Sequence, residues 1–400
     1  MKEPLSLCFD NTEQAFAYKS DAALNKSCQL FSMMQSGLLV KIGSFLAPLA
    51  FKLHLPIKGL IRQTIFEQFC GGETLQEAAR TAAALHTFSV QCALDYGVEA
   101  AEGEKNYDRA VEEFKKAIVY AGSQEDIPMI SLKITAFARF QLLEKRHAGK
   151  PLTGPEQMEW QRVFDRVDAV CRTAYDHHIG VLVDAEESWI QGPVDALVQH
   201  MMQQYNQQQV TVYNTFQMYQ HQRLMALQQQ WAQSRKNNYL LGAKLVRGAY
   251  MDKERRRAEE RGYPSPIQPD KAATDHDFNT AVRWCLEHID TIALFIGTHN
   301  EESCMLAASY LHDHQLPHNH PHVHFSQLYG MSDNITFNLS RAGFRASKYM
   351  PYGPIEEVLP YLIRRSKENS SISGQTGREL LLLKREQRRR RNSRKHPSSA

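Results

Sequence analysis

The chain has 400 residues, 42% hydrophobic and 23% charged, with seven cysteines and a formal net charge of +3. That size holds one large core or two domains, and the balance is that of an ordinary globular protein rather than a disordered or collagenous one. The cysteines (Cys8, Cys28, Cys70, Cys92, Cys171, Cys285, Cys304) are odd in number, scattered and free of any C-x-x-C, which excludes a disulfide framework and a zinc ribbon and suits a reducing compartment.

Met1–Asp10 is mixed and partly acidic, so no secretory leader is expected there. Through residue 88 the apolar spacing predicts a helical region, with helices at Glu13–Phe16, Ala22–Phe31, Leu38–Phe51 and Thr74–Leu85 and a break at Gly71-Gly72. Leu38–Leu60 is the most apolar stretch, but lysines, His54, Pro48 and Pro56 interrupt it too often for a bilayer span. It reads as a packed amphipathic pair or a surface-lying segment.

From residue 89 to 370 the pattern changes to short apolar runs separated by helical stretches. The runs are Val90–Glu99, Ile130–Phe137, Ile179–Asp184, Val210–Phe216, Leu241–Gly248, Thr291–Gly297, His322–Ser326 and Phe344–Tyr349. Helices are expected between them at Tyr107–Tyr120, Gly154–His178, Gly192–Tyr205, His221–Arg235, His276–His288 and Ser303–Asp313. Eight alternations of strand and helix predict an α/β fold, a (βα)8 barrel with its chemistry at the C-terminal ends of the strands.

The ends of these runs carry polar side chains. Lys133 sits in the second, Asp184 closes the third, Gln217 follows the fourth, and Lys244, Arg247, Gly248 and Tyr250 mark the fifth. Gly248 removes a side chain where another backbone or a flat ring would approach. Thr298 and His299 follow the sixth, Leu328 the seventh, and Tyr349 ends the eighth. Beyond it, Gly353-Pro354 opens a helix with an apolar stripe of Val358, Leu359, Leu362 and Ile363, and Tyr361, Arg364, Arg365 and Glu368 on a neighbouring face. Two adjacent guanidinium forks suit a small carboxylate; in isolation, a solvated patch with an Arg364–Glu368 pair is the favoured reading. Pro360 should kink this helix.

The last segment, 371–400, is strongly basic. Lys384–Lys395 holds eight basic residues and one acidic one, +7, which leaves the rest of the chain at 3 − 7 = −4. It reads first as a disordered, solvated terminus; its charge also suits acidic lipid or nucleic acid, with no interleaved aromatics to favour the latter. His312–His324 is histidine-rich, but it is a proline-broken loop with no matching motif near the first strand, so no metal site is expected.

Lys244-Leu-Val-Arg-Gly-Ala-Tyr250, Asp184-Ala-Glu-Glu187, Gly297-Thr-His-Asn300 and the Tyr349…Tyr361…Arg364-Arg365…Glu368-Asn369 block resemble the proline dehydrogenase family, in that family's order, over residues 60 to 370. The resemblance implies a modified (βα)8 barrel that binds FAD, oxidises L-proline to Δ1-pyrroline-5-carboxylate and passes electrons to a quinone. It is the style of the monofunctional enzymes, with no room in these 400 residues for an aldehyde dehydrogenase module. It implies that Arg364, Arg365 and Lys133 hold the substrate carboxylate, with Asp184 fixing Lys133. Tyr349 and Tyr361 would line the ring, Leu328 pack against it and Tyr250 close over it. Gln217, Lys244, Val246, Gly248, Thr298 and His299 would surround the flavin, with Arg247 and Lys271 as further contacts and Glu368 paired to an arginine. Lysine at 244, where many bacterial members carry arginine, matches the eukaryotic-like branch, and Tyr349 favours proline over hydroxyproline. A cytoplasmic enzyme is expected, attached peripherally to a membrane through the tail or Leu38–Leu60.

Overall fold

A computed structural model describes residues 4–36, 57–97, 102–371 and 375–395. The expected helix at Leu38–Phe51 lies outside the described residues.

Eight parallel strands close into a barrel in chain order: β1 (Gln91–Tyr96), β2 (Met129–Leu132), β3 (Gly180–Val183), β4 (Val212–Gln217), β5 (Leu241–Val246), β6 (Ile292–Gly297), β7 (Val323–Leu328) and β8 (Ala346–Tyr352). Each lies within or against one of the predicted runs. β2 and β3 are buried along their whole length, which is why they read as continuous apolar runs rather than as alternating ones. β2 stops earlier than expected. After Leu132 the chain turns through a short 3-10 segment at Ile134–Ala136, and Lys133 sits at its entrance with extended backbone angles.

Among the described residues the helices of eight residues or more are α1 (Asp21–Met34), α2 (Leu75–His86), α3 (Glu104–Ala121), α4 (Phe140–His147), α5 (Gly154–Asp176), α6 (Ser188–Tyr205), α7 (Arg223–Lys236), α8 (Met251–Arg261), α9 (Lys271–Glu287), α10 (Glu301–Asp313), α11 (Asp333–Arg341), α12 (Ile355–Ser371) and α13 (Gln375–Lys395). Local chemistry sets many of their starts. Thr153 and Glu156 form a reciprocal capping box at α5, and Asn300 caps α10 by accepting from the Ser303 amide at 2.8 Å. Among the described residues no helix is long and apolar enough to cross a membrane.

The chain divides into two units, Ala100–Ser326 and Met1–Glu99 with Gln327–Ala400. The first carries β2 to β6. The second contains β1 and β8, paired in parallel, and a core that includes Phe16, Leu24, Phe31, Phe69, Ile355, Val358 and Leu362. Leu380, Leu382 and Leu383 of α13 belong to the same core, where a disordered tail was expected. Each fully buried leucine contributes about 1.5–3 kcal/mol. That is enough to hold a helix whose other residues are mostly basic. Glu386, fully buried, takes the guanidinium groups of Arg389 and Arg390 at 2.9 and 2.8 Å, and Arg390 also reaches Asp21 at 2.9 Å. α12 runs unbroken through Pro360, which has no amide to offer the Glu356 carbonyl.

Six of the seven cysteines are buried and only Cys8 is exposed. Burial pushes the Cys304 thiol up to about 12 and raises those of Cys70, Cys171 and Cys285 well above the ordinary range.

The second unit also encloses a charge cluster. Lys348 on β8 is fully buried; its ammonium lies 2.8 Å from Asp333 and donates to the Met331 carbonyl at 2.6 Å. The Tyr18 hydroxyl donates to the other oxygen of Asp333 at 2.7 Å, and Lys19 lies 3.9 Å from it. Burial alone would raise the Asp333 carboxyl, but Lys348 and Lys19 hold it below the usual range. Glu379 of α13 accepts from the Ser332 amide at 3.0 Å, and burial together with the Asp333 charge pushes its carboxyl up to about 7. Removing one partner of a buried pair strands the other, at about 3–5 kcal/mol. Asp333→Ala should therefore lose about that much stability in urea unfolding, while Asp333→Leu combined with Lys348→Met should recover most of it. Equal losses in the two variants would mean that packing, not charge pairing, dominates there.

Candidate active site

The strands β2 to β6 are parallel neighbours, so their C-terminal ends share one rim, and the polar residues read from the sequence gather on it. Lys244 points from β5 into a nearly water-free position and forms an ion pair with Asp184 just past β3. Asp184 also accepts from the Ser131 hydroxyl at 3.0 Å. Asp184, expected from the sequence to fix Lys133, is thus engaged by both Lys244 and Ser131. A buried ammonium needs such a counter-charge, because its desolvation cost is otherwise uncompensated.

Gln217 ends β4 and uses both ends of its amide. Its nitrogen donates to the Glu186 carbonyl at 2.8 Å, and its oxygen accepts from the Ala249 amide at 3.3 Å. It thereby pins the turns after β3 and β5 to β4. Val246 faces Gln217 across the ladder, and its carbonyl accepts from the Met218 amide at 2.9 Å. Gly248 has φ +136, and a Cβ there would lie 2.4 Å from the Tyr219 ring. The flat ring that this glycine admits is thus one of the chain's own. Tyr250 donates its amide to the Tyr219 hydroxyl at 3.3 Å, and its carbonyl accepts from Glu254 at 2.9 Å as α8 begins.

Arg247 is a knot. Its guanidinium donates to Asp275 at 2.7 Å, to the Thr298 hydroxyl at 2.6 Å and to Ser303 at 3.0 Å, and it lies 4.3 Å from the centre of the Phe278 ring. It joins β5, β6, α9 and α10, so its first task is to position Thr298. Lys271, exposed at the start of α9, also pairs with Asp275, so the two cations meet at one carboxylate. His299 follows Thr298, half-buried, ahead of the Asn300 cap.

Sequence reasoning passed over Glu186. It is buried, and its carboxylate accepts from the Thr135 hydroxyl at 2.6 Å and the Thr135 amide at 3.2 Å. Burial raises its pKa to about 7, against the opposing pull of the Thr135 hydroxyl and the Lys133 charge. The available signal was the second acid of Asp184-Ala-Glu-Glu187, directly after a strand.

In the other unit Tyr349, half-buried on β8, accepts from the Tyr329 amide through its carbonyl at 2.9 Å. Tyr361 of α12 is buried in the core with Leu328 packed against that core, and the Arg364 guanidinium lies 5.9 Å from the Tyr361 ring centre. The side chains of Arg365 and Glu368 lie outside the described residues. Among the described residues no three His, Cys, Asp or Glu side chains gather as a metal site.

The profile described as Proline dehydrogenase matches residues 78–378. This chain belongs to the proline dehydrogenase family. It is 34% identical over 323 residues to the carbapenem antibiotics biosynthesis protein CarD of Pectobacterium carotovorum, covering 80% of this chain and 83% of that one. It is 31% identical over 382 residues to the mitochondrial proline dehydrogenase 1 of Dictyostelium discoideum, covering 84% and 67%. Among solved structures, proline utilization A from Bdellovibrio bacteriovorus, inactivated by N-propargylglycine, superposes with a TM-score of 0.70 at 18% identity. That comparison covers 90% of this chain but only 38% of the other, and it carries the fold alone.

Glu186 makes stability depend on pH. Its folded pKa, about 7, is above the ordinary 4.5, so the folded state holds the proton more tightly. The stabilisation from this group is complete below about 4.5 and is lost as pH rises through 7, at about 1.4 kcal/mol per unit between the two values. Glu186→Gln should flatten that stretch of the profile, so melts at pH 5 and pH 8 (about one unit or less from either end) should differ less than in the parent. An unchanged difference would remove Glu186 as its source.

Proposed function

We propose that the protein oxidises L-proline to Δ1-pyrroline-5-carboxylate with FAD as its cofactor and a quinone as the final oxidant. The family match over residues 78–378 carries the substrate. The cofactor reading is supported by the donor set on β3 to β6. Lys244 and Arg247 are cations paired with Asp184 and Asp275, with Thr298 and His299 beside them, a combination suited to the carbonyl edge and pyrophosphate of a flavin nucleotide. When bound, FAD supplies the two-electron acceptor for a hydride leaving the ring carbon beside the proline nitrogen.

The remaining work falls to side chains. Arg364 and Arg365 are assigned the proline carboxylate, with Lys133 as a further cation, on the strength of the sequence block they share with the family. Holding the carboxylate fixes the far side of a five-membered ring, and such orientation supplies about 7–11 kcal/mol of a barrier in favourable cases. Cations around the carboxylate also disfavour a protonated amine and help present the neutral nitrogen that hydride departure requires. Tyr349, Tyr361 and Leu328 are assigned the ring's apolar faces, and Tyr250 its closure. Gln217, Val246 and Gly248 shape the backbone around the flavin ring. Lys271 supports Arg247 through Asp275.

Anaerobic addition of L-proline to the purified, flavin-loaded protein should bleach the flavin absorbance. A yellow protein that L-proline leaves unchanged would overturn the reading. Arg364→Met should keep the flavin while kcat/KM falls roughly 30- to several-thousand-fold, because a desolvated carboxylate loses part of its pairing at about 2–5 kcal/mol. Turnover near that of the parent would remove the arginine from the site.

A further inference from the structure

Helix α13 divides its cations between two faces. On one, Arg389 reaches Glu13 at 3.0 Å, Arg390 reaches Asp21 at 2.9 Å, and Arg378 and Arg394 pair with Asp10 and Asp21. On the other, Lys384, Arg385, Arg388 and Arg391 are all exposed, and none makes an ion pair with any of the described residues. At 3.6 residues per turn these four fall on roughly one third of the helix circumference, and Leu381 falls among them. Leu381 is 55% exposed, although three other leucines within the same four-residue run are buried or nearly so.

This arrangement is unfavourable for the helix by itself. Lys384 and Arg388 stand at i,i+4, and Arg385 with Arg388 and Arg388 with Arg391 at i,i+3, spacings at which like charges repel. The buried leucines and the acid-paired face hold α13 in place despite that repulsion. A polyanion laid along the open face would relieve it.

We propose that the Lys384–Arg385–Arg388–Arg391 face of α13 docks on the anionic lipid surface of a membrane, with Leu381 seated at the boundary between headgroups and acyl chains. Lipid fits better than nucleic acid for two reasons. Residues Gln375–Lys395 include no aromatic side chain on which a base could stack. An exposed leucine at the centre of a basic arc gains from an acyl boundary and has nothing to gain from a phosphodiester backbone. The cations from Lys384 to Arg391 extend about 10 Å along a straight helix, a geometry matched to a flat surface. The proposal stands on this charge pattern and holds whatever reaction the barrel performs.

The test is co-sedimentation of the full chain with vesicles of phosphatidylcholine alone and of phosphatidylcholine mixed with phosphatidylglycerol, each at low and high salt. Binding is expected only to the mixed vesicles, and it should weaken with salt. The combined variant Lys384→Gln, Arg385→Gln, Arg388→Gln, Arg391→Gln should bind them about a hundredfold more weakly or worse. Its circular dichroism and melting should match the parent, because the side chains are exposed and neutralisation removes repulsion. Leu381→Ser should weaken binding with the charges intact. Equal binding to both vesicle types, no binding to either, an unaltered affinity in the fourfold variant, or tighter capture by single-stranded DNA than by the mixed vesicles would each overturn the proposal. Proline oxidation with a soluble dye should be the same in parent and variant. Its absence from both, with vesicle binding intact, would count against the catalytic reading alone.

Discussion

An ammonium group taken out of water must find its anion nearby, and two strands of this barrel are organised around that requirement. Lys244 on β5 meets Asp184 beyond β3, and Lys348 on β8 meets Asp333 at the start of α11. The first pair ties together strand ends two positions apart in the barrel order. The second draws in Tyr18 and Lys19 from the N-terminal segment and, through the adjacent Ser332, Glu379 from α13. Both also enforce register. Sliding β5 by one residue would turn Lys244 to the opposite face and bring Leu245 in its place, leaving Asp184 without its cation.

What could be read from the sequence follows from how each element is buried. The strands are recognisable because parallel strands covered on both faces become short, uninterrupted apolar runs. Helices with one apolar stripe, such as α3 and α5, announce themselves by spacing. α8 does not: Met251–Arg261 is almost all charge, and only Glu254 and Ala258 are buried. α13 was hidden differently, since the density of arginine masked a leucine run of which Leu380, Leu382 and Leu383 supply its inner face.

For the site, residue order carried more than residue character. Lys244-Leu-Val-Arg-Gly-Ala-Tyr250 marks a strand end with a glycine held at positive φ, and the structure accounts for that glycine by the Tyr219 ring beside it. No spacing rule could have paired residue 248 with residue 219, because the contact depends on adjacent barrel strands. Arg247, expected as a further flavin contact, is also held by hydrogen bonds to Asp275, Thr298 and Ser303, which fix where its guanidinium lies. Glu186 escaped notice because a second acid beside Asp184 looks like surface charge. Its role emerges only once Thr135 and Gln217 are seen to converge on it from neighbouring strands.

The concealment of the cysteines has a practical side for a protein whose family handles electrons. Thiolates, not thiols, react with oxidants and alkylating reagents. Six of these sulfurs are enclosed, and the Cys304 thiol holds its proton up to about 12. Peroxide formed near such a chain would meet one accessible thiol, Cys8, far along the sequence from every strand end. The same sulfur offers a single handle for attaching a dye or spin label to the folded protein.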